Sequence, residues 1–271
     1  MIKQSIVNKL SFIASIILLI NISVIALAEN KNDDYINQAG DNKLSLGLEL
    51  FPYLYQEPNL MRMDGNFYGI NGSYSYYLNE DYFLRAEIRL AKGNTKYFSY
   101  ETGSMKNTPN RLLESRILCN KSLKYSFLDI SPFVGFGFRY KGDNSNRKIS
   151  TTGHTGYLRA SNYYYVPVGL SMNYNLQADW SLDILGEYDI LLKGRQKSYF
   201  NNTLIHSQSK GYGLRSEISL NHAFDKYIFS IGPYINYWKI QSSNIINLDG
   251  KSFYEPKNTT REVGIKIKFT F

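Results

Sequence analysis

A two-residue period recurs along nearly the whole chain, and it limits the fold more than any other feature. In KLSLGLEL, Leu44, Leu46, Leu48 and Leu50 share one face, with Ser45, Gly47 and Glu49 on the other. FYGINGSYSYYL sets Tyr68, Ile70, Tyr74, Tyr76 and Leu78 against mostly small polar residues and glycine. YFLRAEIRLA sets Leu84, Ala86, Ile88 and Leu90 against Arg85, Glu87 and Arg89. Successive side chains of an extended chain point to opposite faces, so this period marks strands; a helical period is sustained nowhere in the same region. RLLESRILCN, DISPFVGFGFRY, NYYYVPVGLSMNYNL, WSLDILGEYDILL, GYGLRSEISLN, YIFSIGPYINYW and EVGIKIKFTF follow the same rule, which gives ten strands in all.

The connections alternate in length. NED, KYS, QAD and FDK are short, and between them fall QEPNLMRMDG, SYETGSMKNTPN, KGDNSNRKISTTGHTGYLRA, RQKSYFNNTLIHSQSK and QSSNIINLDGKSFYEPK. The amino end carries Lys3 and Lys9, then the apolar SFIASIILLI, then small residues closing on Ala26 and Ala28. That pattern predicts a secretory signal peptide over 1–28, followed by a polar lead-in over 29–42. Removing Lys3 and Lys9 takes the formal charge from +8 to +6. For an exported chain, a basic excess points to an anionic lipid or polysaccharide surface and away from nucleic acid.

The alternating segments then have one economical solution. No apolar run in the mature chain is long enough for a spanning helix. Backbone groups in hydrocarbon must all be paired, and a sheet achieves that only by closing on itself. The expected fold is all-β: a closed antiparallel up-and-down transmembrane β-barrel over 43–271, with ten strands, or eight if Pro233 breaks its strand. The apolar face would meet lipid and the other face the interior. Pro132, Pro167 and Pro233 lie inside strands and predict bulges or local bends there. Tyr82, Tyr125, Trp180, Phe224 and Tyr227 beside the short turns, and Tyr97, Tyr140, Tyr163–Tyr165, Tyr237 and Trp238 near the long connections, predict two aromatic girdles.

These features together resemble a small Gram-negative outer-membrane β-barrel. The resemblance implies residence in the cell outer membrane, among its lipids and lipopolysaccharide, with the short turns in the periplasm. It also implies that the closing strand, through Val263, Ile265, Ile267, Phe269 and Phe271, is the signal for the barrel-assembly machinery. Ten strands invite comparison with the omptin proteases and with ten-stranded adhesins; opacity-type and OmpA-like barrels have eight.

On the inward face the alternation places Glu49, Arg85, Glu87, Arg89, Glu114, Arg116, Arg139, Asp183, Glu187, Asp189, Arg215, Glu217, Glu262, Lys266 and Lys268. Lys266 and Lys268 would find partners such as Glu49. Mixed signs in a narrow lumen give two readings, a satisfied ionic network or a narrow ion path, with the network favoured. The function expected is a narrow porin-like channel or a structural surface barrel. The alternative is an adhesin or receptor using basic loops such as KGDNSNRKIS and GRQKS, with the host ligand unknown. No enzyme is expected. An omptin-like protease would need Asp-x-His, and a barrel lipid hydrolase His-x-Ser; His154, His206 and His222 sit in neither, and read as satisfied or solvated surface groups. One cysteine, Cys119, and three scattered histidines suggest no metal and no cofactor.

Overall fold

The computed structural model describes residues 42–176, 178–199, 203–248 and 250–271. The expected signal peptide, and the lead-in apart from Asn42, lie outside the described residues. Ten strands form the barrel: β1 (Lys43–Glu57), β2 (Met61–Tyr77), β3 (Tyr82–Ser99), β4 (Gly103–Lys121), β5 (Leu128–Asn144), β6 (Leu158–Asn175), β7 (Trp180–Tyr199), β8 (Gly211–Ala223), β9 (Ile228–Ile240) and β10 (Asn258–Thr270). Each pairs antiparallel with its neighbours in the chain, and β10 returns to β1 with Leu50 opposite Ile265 and Glu49 opposite Lys266. The seam closes at the chain end, where the Phe271 N–H donates to Leu44 O (2.8 Å) and the Leu44 N–H to Phe271 O (3.0 Å).

The apolar files face outward. Leu48, Leu50 and Ile117 leave 62%, 68% and 63% of their surface uncovered, while Glu49, between two of them, leaves 2%. Apolar surface on this scale is unfavourable in water by about 25 cal/mol for each Å² and is accommodated by lipid. A charged inside and an apolar outside therefore fix the fold as a membrane barrel.

The strands are longer than the alternation suggested. β2 to β7 run for 17 to 20 residues, against about 9–11 for a tilted crossing. QEPNLMRMDG and SYETGSMKNTPN, expected as loops, are strand except for tight turns at 58–60 and 100–102. Thr203–Gln208 folds back along the end of β7, and Ile246–Leu248 pairs with Lys251–Phe253 in a small outer hairpin. Beyond the membrane the outward face meets water instead of lipid, so the apolar file that reveals a strand is absent from those segments even though their inward residues, such as Met63 and Thr108, are buried.

Two further expectations are narrowed. No register shift falls at any of the three prolines. The ladder instead skips Pro132 on the β4 side, Pro167 on the β5 side and Pro233 on the β8 side, and resumes in register. One missing N–H removes pairing toward one neighbour only, and the other neighbour holds the strand in place. The bulges lie elsewhere, at Thr95/Tyr97 between β3 and β4 and at Tyr164/Tyr165 between β6 and β7.

The outer aromatics also divide. Tyr164 faces out, but Tyr163, Tyr165 and Trp238 are buried inside the barrel with Leu191 and Ile240. A second interior cluster joins Phe51, Tyr53, Tyr55, Met63, Phe67 and Tyr234. At the short-turn end, Tyr227 packs on Phe224 (ring centroids 4.8 Å apart), Phe269 (5.8 Å) and Phe271 (6.4 Å).

Candidate functional site

Strand alternation delivers every arginine and carboxylate of the central lumen to the inside, where ions without water need partners. Arg89 on β3 donates from Nε to Glu49 on β1 (2.7 Å), from Nη1 to Glu262 on β10 (2.7 Å) and from Nη2 to the Tyr234 hydroxyl on β9 (3.2 Å). Arg139 on β5 donates to the other oxygen of Glu262, and the Asn236 amide donates to that carboxylate as well. Arg215 on β8 bridges Glu114 on β4 (2.9 Å) and Glu187 on β7 (3.0 Å). Arg116 on β4 reaches Glu187 at 2.5 Å and also binds Glu87 on β3.

These pairs cross the barrel. β5 and β10 stand opposite one another in a ring of ten, and Arg139 and Glu262 join them. Arg215 with Glu114, and Arg116 with Glu187, tie β4 to β8 and β7. Four arginines and five glutamates thus meet in one connected layer. All nine are buried or nearly so.

Aromatic rings close over the layer on the side of the long connections. Arg89 lies 4.9 Å from the Phe51 ring centroid and Arg139 5.6 Å from that of Trp238. The Tyr165 hydroxyl donates to Glu114 (2.7 Å). Gly137 makes room for that ring, since a Cβ there would lie 2.2 Å from Tyr165 Cζ.

Lys266 and Lys268 belong to a second group. Lys266 stands opposite Glu49 in register, yet both lysines donate to Glu217 on β8, at 2.5 and 2.8 Å. Arg89 already occupies Glu49, which leaves Glu217 as the carboxylate within reach. Three of the expected lumen residues lie outside both groups. Arg85 donates to Ser75 (3.1 Å), Asp183 accepts from Asn173 (2.6 Å), and Asp189 lies beside Gly213 with no ion pair among the described residues.

A third cluster, at the outer mouth, escaped the sequence reading. Arg159 on β6 meets Glu57 (3.0 Å), Asp143 (3.4 Å) and Glu255 (3.8 Å), and the Tyr55 hydroxyl donates to Glu57 (2.8 Å). Lys141 Nζ sits 3.3 Å from the centroid of the Tyr55 ring. Glu57, Lys141 and Asp143 continue the odd-numbered inward series of Glu49 and Arg139. Parity carried through the polar segments would have found them.

Glu255 lies between the outer hairpin and β10, tied down by the Ser243 N–H donating to its carbonyl (2.9 Å) and by its own N–H donating to Ser243 Oγ (2.8 Å). Burial, helped by Glu57 and opposed by Arg159, pushes its carboxyl from 4.5 up to about 7. The packed mouth therefore holds a proton that the released segment would lose. The resulting stabilisation is complete below about 4.5 and is lost as pH rises through about 7. Amide exchange over 241–257, corrected for its intrinsic pH dependence, is expected to be faster at pH 8 than at pH 5, and Glu255→Gln is expected to flatten the difference.

The histidines are dispersed. His206 is buried rather than solvated, in the strand folded back on β7, with its Nδ1 3.5 Å from Ser243 Oγ. His154 contacts Thr152, and His222 packs between Trp180 and Phe224 at the short-turn end. Leu204 occupies the position two before His206 where an Asp-x-His unit has its aspartate.

No family model and no curated protein matches this sequence. Among solved structures, the fold is similar to that of the outer membrane protease OmpT from Escherichia coli. The identity is 12%, over 88% of this chain and 99% of that one, with a TM-score of 0.55. Looser likenesses include the Pseudomonas putida toluene transporter TodX, at 10% identity over 86% and 90% of the two chains and a TM-score of 0.37. The translocator domain of the autotransporter NalP from Neisseria meningitidis shares 10% over 93% and 95%, with a TM-score of 0.41. At these identities the likeness to OmpT concerns the fold. Taken with the apolar exterior, it makes this chain an integral outer-membrane β-barrel protein of the Gram-negative type.

Proposed function

We propose that the barrel is a surface protein with a closed lumen, whose projecting outer hairpins carry recognition, and that it does not conduct solutes. The observation behind this reading is the set of ion pairs that join opposite walls, Arg139 to Glu262 above all. A conducting path needs charges that face water along it, whereas here each central guanidinium is held by carboxylates from two or more strands. A rigid plugged scaffold with strands prolonged beyond the membrane suits the display of loops. The tip between β5 and β6, with Arg147 and Lys148, supplies basic groups for an acidic partner. An enzymatic reading has less support, because the motifs it requires are missing around His206.

Refolded protein in planar bilayers is expected to give no unitary conductance steps. Reproducible, ion-selective steps would overturn the closed-lumen reading. We extend the proposal to biogenesis: the lipid-facing file of Val263, Ile265, Ile267 and Phe269, ending on Phe271, would serve as the assembly signal.

A further inference from the structure

Between the ionic layer and the short turns, the lumen changes character. On the far side of the layer the inward positions carry large rings, among them Phe51, Phe67, Tyr163 and Trp238, and all four are buried. Toward the short turns the inward positions carry Ser45, Asn71, Ser73, Ser131, Ser171 and Ser181, each of them partly exposed. Short side chains leave room where rings fill it, so the barrel holds a vestibule open at the short-turn end. Glu87 and Lys268, at its roof, leave 23% and 26% of their side chains uncovered, against 3% for Arg139 within the layer.

Register sorts the charges of this vestibule by sign. On one arc, Lys43 on β1, Ser75 on β2 and Arg85 on β3 form a single cross-strand row. On the other, Asp129 on β5, Asn173 on β6, Asp183 on β7 and Ser219 on β8 form a second. β2 and β7 stand opposite one another in the ring of ten, so the basic row faces the acidic one, and Lys43 feels the charges of both Asp183 and Asp129. Neither row is neutralised. Among the described residues Lys43, Arg85, Asp129 and Asp183 make no ion pair; Arg85 uses only its Nε, on Ser75, and Lys124, opposite Asp129 in register, stays out of salt-bridge reach. Three inward amides are also incomplete: Asn120 Oδ1, Asn221 Oδ1 and Asn71 Nδ2 are buried atoms with no hydrogen-bond partner among the described residues. Buried polar atoms are normally paired, so these point to a partner that enters from outside the chain.

We infer that the vestibule binds a short zwitterionic peptide arriving from the periplasm, the side to which barrels of this class direct their short turns. Its carboxylate would join Lys43 and the free Nη groups of Arg85 in charge-assisted hydrogen bonds, and its ammonium would join Asp183 and Asp129. The peptide groups between the two ends supply the N–H donors that Asn120 and Asn221 lack and a C=O for Asn71. An inorganic anion leaves the acidic row unmatched, a neutral sugar leaves both rows unmatched, and a free amino acid has no peptide group for the amides. The inference goes beyond loop display, and its failure would leave the closed ionic layer and the outer hairpins as they stand.

Trialanine titrated into the refolded protein in lipid nanodiscs, followed by ligand-detected NMR, provides the test. Saturable binding is expected, weakened by salt. Capping the probe is expected to lower affinity by about tenfold or more, whether the amine is acetylated or the carboxyl amidated. Arg85→Gln is expected to weaken binding of free trialanine by a similar factor and to leave that of the amidated peptide unchanged. Asp183→Asn is expected to weaken binding of free trialanine likewise and to leave that of the acetylated peptide unchanged. The capped probes need no variant, which covers the case in which a substitution fails to fold. No saturable binding, equal affinity for free and capped peptides, or an equal loss of free and capped peptide in either variant would overturn the site.

Discussion

Glu262→Ala is expected to destabilise the folded barrel by about 3–5 kcal/mol, the range for leaving a buried ion without its partner. Glu262 is fully buried and accepts from Arg89, Arg139 and Asn236. Its loss leaves two guanidiniums competing for Glu49 and Glu114, with Glu114 already committed to Arg215 at 2.9 Å. R139M/E262L removes an arginine along with the carboxylate and leaves Arg89 on Glu49, so it is expected to cost less than the single change. Urea unfolding in micelles, followed by tryptophan fluorescence, checks both, and Trp238 lies 5.6 Å from the Arg139 guanidinium. A Glu262→Ala midpoint equal to the parent's would mean that water, not Glu262, solvates these arginines, and with it the closed lumen would fall.

The fold was legible because lipid on one side and a filled lumen on the other impose the same alternation on every crossing. Leu48, Glu49 and Leu50 already state which side is which. Two kinds of residue were not legible. Glu57, Asp143, Arg159 and Glu255 are buried in polar segments beyond the apolar belt, so no apolar file frames them, and only the structure brings them to one mouth. Tyr163, Tyr165 and Trp238 stand near the long connections, where position alone suggests a girdle, although Tyr163 and Tyr165 lie opposite inward Arg139 and Gly137 and Trp238 packs with them inside the barrel. Pairing across the lumen is a further step removed. Sequence gives the face of Arg139 and of Glu262, but their meeting depends on ring size and stagger, which no local pattern encodes.

The prolines show the same limit at the level of the backbone, and they lead to the second large effect. Pro233 interrupts the β8–β9 ladder, which runs through Glu217 opposite Tyr234 and resumes at Leu220 opposite Ile231. Gly232 sits in that gap with the neighbouring backbone pressed against it. A Cβ there would lie 1.8 Å from Ile218 O and 2.7 Å from Ser219 Cα, atoms of a membrane-spanning strand that cannot rotate aside. Gly232→Ala is therefore expected to reach or exceed the upper end of the about 1–3 kcal/mol usual for overpacking. Gly186→Ala on β7 adds the same methyl where nothing lies within 4 Å, and is expected to stay within about 0.5 kcal/mol of the parent. Heat-modifiable migration on detergent gels, read as the temperature at which the fast band disappears, separates the two. Equal shifts would show that intrinsic backbone freedom sets the effect; a loss confined to Gly232 would show that the close approach beside Pro233 keeps the β8–β9 pair closed without a bulge.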